Sequence, residues 1–103
     1  MIQTVMRKRI EILVDTPLAP RIVAQLRAVN ISGWSLIHVD SGGGRSGEWQ
    51  HDDVTGASAK TILLVIASEA KTEKLVEALA PVLDSYRLLL TISDVQVVRG
   101  ERF

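Results

Sequence analysis

Arg9-Ile10-Glu11-Ile12-Leu13-Val14-Asp15-Thr16-Pro17 is the stretch that decides the fold. Its first six residues alternate and then turn wholly apolar, with β-branched Ile10, Ile12 and Val14. That is the pattern of a strand, here beginning near Val5. Asp15 or Thr16 then caps a helix, and Pro17 suits its first position, where no amide is needed. Pro20 still falls in the first turn, where a missing amide matters least. Leu18, Ile22, Leu26 and Val29 recur at helical spacing, and Gly33 closes the stretch.

Further along, Trp34 to Val39 reads as a second strand, with Trp34, Leu36 and His38 on one face and Ser35, Ile37 and Val39 on the other. Lys60 to Ala67 is a third strand. Ser68 caps a second helix over residues 69–83, with Leu75, Leu79 and Val82 inward and Pro81 ending or kinking it. Arg87 to Val98 is the fourth strand. The order is βαββαβ. The simplest arrangement is a ferredoxin-like α+β domain over residues 1–103: a four-stranded antiparallel sheet with both helices on one face. The apolar strands predict that another subunit covers the other face.

The bulk composition narrows the function. A chain of 103 residues makes one domain. Hydrophobic residues are 47% of it, yet aromatics are 4%, so the core is aliphatic. Lys plus Arg and Asp plus Glu are both 12, which argues against a nucleic-acid binder. With no cysteine, disulfides, thiolate catalysis and Cys-based zinc sites are excluded. No apolar run approaches the roughly 20 residues of a membrane span, and the one near the start is too short for a signal peptide. A soluble, cytoplasmic protein is the expectation.

Residues 40–59 stand apart. They hold five of the seven glycines and almost nothing aliphatic. A loop beyond roughly 12–15 residues is usually functional or disordered. It opens with Ser41-Gly42-Gly43-Gly44-Arg45-Ser46-Gly47. Consecutive glycines let backbone amides close around an anion, and Arg45 adds a guanidinium that forks onto phosphate or carboxylate. A flexible solvated hairpin fits the same composition. Gly42, Gly44 and Gly47 satisfy GxGxxG, but a dinucleotide site needs that motif to open a helix, and Glu48 to Asp53 has no helical pattern. Glu48, His51, Asp52 and Asp53 lie close in sequence, yet a solvated loop explains them better than a metal does. Trp49 in a polar loop calls for a contact with a ligand or a subunit. Ser41, His51 and Asp53 share one loop, which preorganises no catalytic triad. Arg99 and Arg102 follow the fourth strand, either as a charged terminus or as a cationic pair completing a phosphate site, across a subunit boundary if need be, with Phe103 as anchor.

Arg9 to Val14, Ile31-Ser32-Gly33-Trp34-Ser35-Leu36 and Ser41 to Gly47 together resemble the PII signal-transduction proteins, at that family's spacing. Gly47-Glu48-Trp49 and the ending Val97 to Phe103 look closer to the PII-like branch, which includes carboxysome-associated and bicarbonate-transporter-associated proteins. The resemblance implies a non-enzymatic homotrimer with an adenine nucleotide in each inter-subunit cleft. A mobile loop then reports the nucleotide to a target, in that branch a transporter or a carboxysome component. It implies nucleotide contacts from Ser35 near the adenine, from Ser41, Gly42, Gly43, Gly44 and Arg45 in the loop, and from Arg99 and Arg102 at the phosphates. Bicarbonate, an effector in the carboxysome-associated branch, would suit Gly43, Gly44 and Arg45. The family's second glycine-rich loop is missing, since only Asp84-Ser85-Tyr86-Arg87 stands in its place. ADP or AMP is therefore expected to compete well with ATP, and no metal is expected. The rival readings are a trimeric cation-tolerance protein using His51 and its acidic neighbours, an acylphosphatase-like enzyme, and an RNA-binding module. The last needs aromatics on the first and third strands, which have none.

Overall fold

Alternation builds the centre of the molecule. In the computed structural model, which describes residues 2–44, 47–50 and 59–99, the central strands are β1 (Thr4–Asp15) and β5 (Lys60–Ala67). They pair antiparallel with Ile10 opposite Val65 and Ile12 opposite Leu63. The edges are β2 (Trp34–Val39), beside β5, and β6 (Leu89–Val98), beside β1, so the strand order is β2-β5-β1-β6. Helices α1 (Ala19–Ala28) and α2 (Glu69–Leu79) lie on one face. Ile10, Ile12, Val14, Leu63 and Val65 of the sheet meet Ile22, Leu26, Leu75 and Leu79 of the helices, and all are at most 1% exposed. Each such side chain contributes about 1.5–3 kcal/mol by leaving water.

The expected βαββαβ order holds, with local differences at element ends. Residues Thr16–Leu18 form a single 3-10 turn ahead of α1 and receive no side-chain cap from Asp15. Asp15 instead pairs with Lys60 across the strand ends. Helix α1 closes at Asn30 rather than at Gly33. Asn30 has φ 62, its amide donates to the Arg27 carbonyl, and the Ile31 amide donates to Leu26. This is a Schellman closure, and Ile31, 3% exposed, supplies its apolar contact. Ser68 caps α2 as expected, its hydroxyl accepting from the Lys71 amide at 3.3 Å. Pro81 sits in a 3-10 turn over Ala80–Val82, so regular α-helix stops at Leu79. The segment then closes as α1 does: Arg87 has φ 53 and donates to Asp84, and Leu88 donates to Leu83. For that reason β6 starts at Leu89, not at Arg87.

The opposite face of the sheet has no cover within the described residues. Register places Ile37, Ile62, Leu13 and Leu89 in one row and Ser35, Leu64, Glu11 and Thr91 in the next. Leu89 is 58% exposed there and Ile37 is 45% exposed.

Candidate functional site

The glycine-rich segment grows from the end of β2. Strand β3 (Ser41–Gly44) pairs antiparallel with β4 (Gly47–Gln50), with Gly42 opposite Trp49 and Gly43 opposite Glu48. This hairpin is a sheet of its own and adds to no strand of the main sheet. Arg45, between its strands, lies outside the described residues, as do His51, Asp52 and Asp53.

The root of the hairpin is fixed by contacts that sequence reasoning missed. Val39 pairs with Lys60, and Lys60 pairs with Asp15 both by register and by the ion pair. The Thr16 amide donates to the Ala59 carbonyl at 2.9 Å, and the Thr16 and Thr61 hydroxyls are 2.8 Å apart. Ala59 and Thr61 are buried. The loop therefore leaves and re-enters the domain at a clamped point. An acid ending one strand and a lysine starting its neighbour was the sequence signal for that clamp.

Ser35 sits on β2 opposite Leu64, on the open face of the sheet. Its strand is held at the start by Trp34, which packs against the core with the Arg27 guanidinium 5.3 Å from its ring. His38 lies opposite Thr61 at the other end of β2 and is exposed. The tripled glycines have unusual surroundings. A Cβ on Gly44 would meet nothing within 4 Å, and one on Gly43 would touch only the Glu48 side chain, at 3.8 Å. Neither takes a left-handed φ.

Arg99 follows β6 directly, with φ 65. It lies far from the hairpin. Val98 pairs with Thr4 at the start of β1, whereas the hairpin leaves the sheet beside Asp15 at its end. From Thr4 to Asp15 the strand spans about 36 Å at roughly 3.3 Å per residue. One chain thus brings Ser35 to the same half of the sheet as Ser41, Gly42, Gly43 and Gly44, and leaves Arg99 at the opposite end. Arg102 lies outside the described residues. Among the described residues no group of three or more His, Cys, Asp or Glu side chains could hold a metal ion, and no helix is long and apolar enough to cross a membrane.

A split βαββαβ domain with a glycine hairpin projecting from its second strand defines a ferredoxin-like protein of the PII type. The family model described as nitrogen regulatory protein P-II matches residues 7–102. The chain belongs to the P-II family, a family of regulatory proteins. No curated protein matches the sequence. Among solved structures it is similar to CPII, a nitrogen regulatory PII-like protein from Thiomonas intermedia bound to ADP, AMP and bicarbonate. That match has a TM-score of 0.90 at 20% identity and covers 100% of this chain and 98% of that one. A structure described as a PII-like signaling protein from Thermus thermophilus matches with TM-score 0.84 and 21% identity, over 99% of both chains. The GlnK-ATP complex of B. subtilis matches less fully, with TM-score 0.63 and 10% identity, over 87% of this chain and 82% of that one. At these identities the likeness establishes the fold, and it agrees with the resemblance to the PII-like branch.

Proposed function

We propose that this protein is a non-enzymatic, cytoplasmic regulator that assembles as a homotrimer and holds an adenine nucleotide in the clefts between subunits. The 40–59 loop passes the state of the cleft to a target protein, a transporter or a carboxysome component on the reading of the PII-like branch. ADP and AMP are the expected ligands. The turn from Asp84 to Arg87 is a tight left-handed closure, with no room for a second phosphate-binding loop between helix and strand. Bicarbonate is the candidate effector, held by Gly43, Gly44 and Arg45. CPII, whose fold this chain shares, is solved with all three small molecules.

The observation that carries this reading is the empty space at Gly43 and Gly44. Among the described residues nothing gives either position a reason to be glycine: neither has a left-handed φ, and a Cβ would fit. A glycine inside a strand costs roughly 0.5–1 kcal/mol relative to alanine. Something that approaches the backbone closely from outside the chain supplies the reason, and a phosphate gripped by amides is such a group. The separation of the two ends supports the inter-subunit cleft. Arg99 of one subunit meets a phosphate at another subunit's hairpin only if the site is built from two chains, with Ser35, on the open face, near the base.

Calorimetry with AMP, ADP and ATP, each with and without bicarbonate, tests this on the native protein and on Gly43→Ala and Gly44→Ala. Both variants are expected to melt at or slightly above the native temperature. Both should weaken ADP about tenfold or more, the loss of one amide–phosphate contact of about 1.5 kcal/mol. Undiminished ADP affinity in the two variants would show that the glycines serve no phosphate. Absence of heat with every nucleotide would remove the reading altogether.

A further inference from the structure

Lys60 stands at the root of the glycine hairpin, on the strand between the two others that end there. Register sets it opposite Asp15 of β1 on one side and opposite Val39 of β2 on the other. All three share the open face, in the row beyond Ile37, Ile62 and Leu13. The Lys60 ammonium pairs with the Asp15 carboxylate, and their side chains are 22% and 31% exposed. Asp15 does not cap the 3-10 turn that follows it. On the other side, Val39 leads through Asp40 into Ser41 and the glycines. Neighbouring strands lie about 4.8 Å apart. The ammonium, on a flexible four-carbon stem, therefore has Asp15 one strand away and the path into the hairpin one strand away on the opposite side. The root is also held without charge. The Thr16 amide donates to the Ala59 carbonyl, and the Thr16 and Thr61 hydroxyls share a hydrogen bond. Opening the ion pair thus leaves the loop anchored.

We infer that Lys60 is an exchangeable cation of the anion site: Asp15 holds it in the unliganded protein, and it moves to the oxyanion seated on the hairpin amides. The inference rests on the proposed anion site at Gly43 and Gly44, and adds to that site a cation from the domain itself. A nucleotide phosphate and a bicarbonate offer the same chemistry here, anionic oxygens that accept from an ammonium with three donors. Asp15 is then a competitor. It keeps Lys60 in place while the site is empty and lowers the affinity for the anion. The coupling is reciprocal: the anion weakens the ion pair by the factor by which the ion pair weakens the anion. An ion pair with both partners partly in water contributes little to stability, so a bound anion can displace it without unfolding the root. Because the threonine contacts keep that root fixed, the exchange changes the direction of the hairpin and not the packing of the domain.

The test is calorimetry on the full chain, with ADP alone and then with bicarbonate on the ADP-saturated protein, which separates the two anions. Lys60→Gln should weaken the anion it serves about tenfold or more, and Asp15→Asn should tighten the same one about threefold or more. A merely structural ion pair would move both variants the same way. In the Lys60→Gln background, Asp15→Asn should add no further gain. On the native protein, the ligand should shift the Asp15 carboxyl carbon resonance while the Thr16 amide keeps its slow exchange. Variants that match the native affinities for both anions, or that shift them in one direction, would overturn the exchange. So would an Asp15→Asn gain that persists without Lys60, because Asp15 would then act by its charge alone, or an Asp15 resonance that ignores the ligand. Those results leave the nucleotide site standing. A native protein that takes up neither anion would remove the site and the exchange together.

Discussion

Leu63 and Leu64 are neighbours on the same strand and live in different surroundings. Leu63 points under the helices and is 0% exposed, whereas Leu64 points to the open face and is half-buried. The same contrast runs across the sheet, between Ile12 and Leu13 on β1 and between Leu90 and Leu89 on β6. An antiparallel sheet packed on one side usually alternates apolar with polar residues. Here the outward set is more apolar than polar, broken by Arg7, Arg9, Glu11, Ser35, Thr91 and Ser93 and, at the strand ends, by Asp15 and Lys60. One face is therefore complete within the chain. The other is apolar surface awaiting a second protein surface, and the proposed trimer supplies it.

The largest effect expected from that contrast lies on the closed face. Leu63→Ala should cost about 2–5 kcal/mol of folding stability, because a cavity under two helices cannot collapse. Denaturant unfolding measures it directly, and a loss below about 1 kcal/mol would mean that the helix layer is not packed as described. On the open face the expected effect is on assembly. Leu64→Glu places a carboxylate where an apolar contact between subunits should be, and the far ultraviolet spectrum should be unaltered. Light scattering should show the mass falling from trimer to monomer. ADP binding should fall with it, since Arg99 and the glycine hairpin sit at opposite ends of one chain. A Leu64→Glu protein that stays trimeric would move the subunit interface off this face.

Sequence reading found what depends on periodicity. The alternation in Arg9 to Val14 and the apolar run in Lys60 to Ala67 located the two central strands, and the spacing of Ile22, Leu26, Leu75 and Leu79 located the inner faces of the helices. The Ser68 cap was legible because its chemistry is local. The hairpin strands β3 and β4 were not, since Ser-Gly-Gly-Gly has no side-chain alternation to read. The Asp15–Lys60 clamp joins residues 45 apart and follows from strand pairing, not from composition. Ser35 and Gly42 to Gly44 enter as candidate nucleotide contacts through the resemblance to the PII proteins, not through periodicity. That Arg99 falls at the far end of the sheet came only with the strand order.

Helix endings show where local signals mislead, and they carry the smallest effect. Both helical segments close on a non-glycine residue in the left-handed region, Asn30 at φ 62 and Arg87 at φ 53. Asparagine tolerates that conformation, whereas a long side chain there costs roughly 1–2 kcal/mol. Glycine avoids that strain but loses more chain entropy on folding. Arg87→Gly should thus stabilise the fold by a net of up to about 1 kcal/mol, raising the melting temperature by roughly 4–8 °C at most for a domain of this size. The gain is tempered because the Arg87 side chain has a contact of its own. Asn30→Gly should change the melting temperature less, the residue it replaces being already suited to the turn. The two variants together separate strain from side-chain loss. If Arg87→Gly melts lower than the native protein while Asn30→Gly does not, the arginine contact outweighs the backbone strain. The short turn into β6 would then be held by its side chain and not by the closure geometry shared with α1.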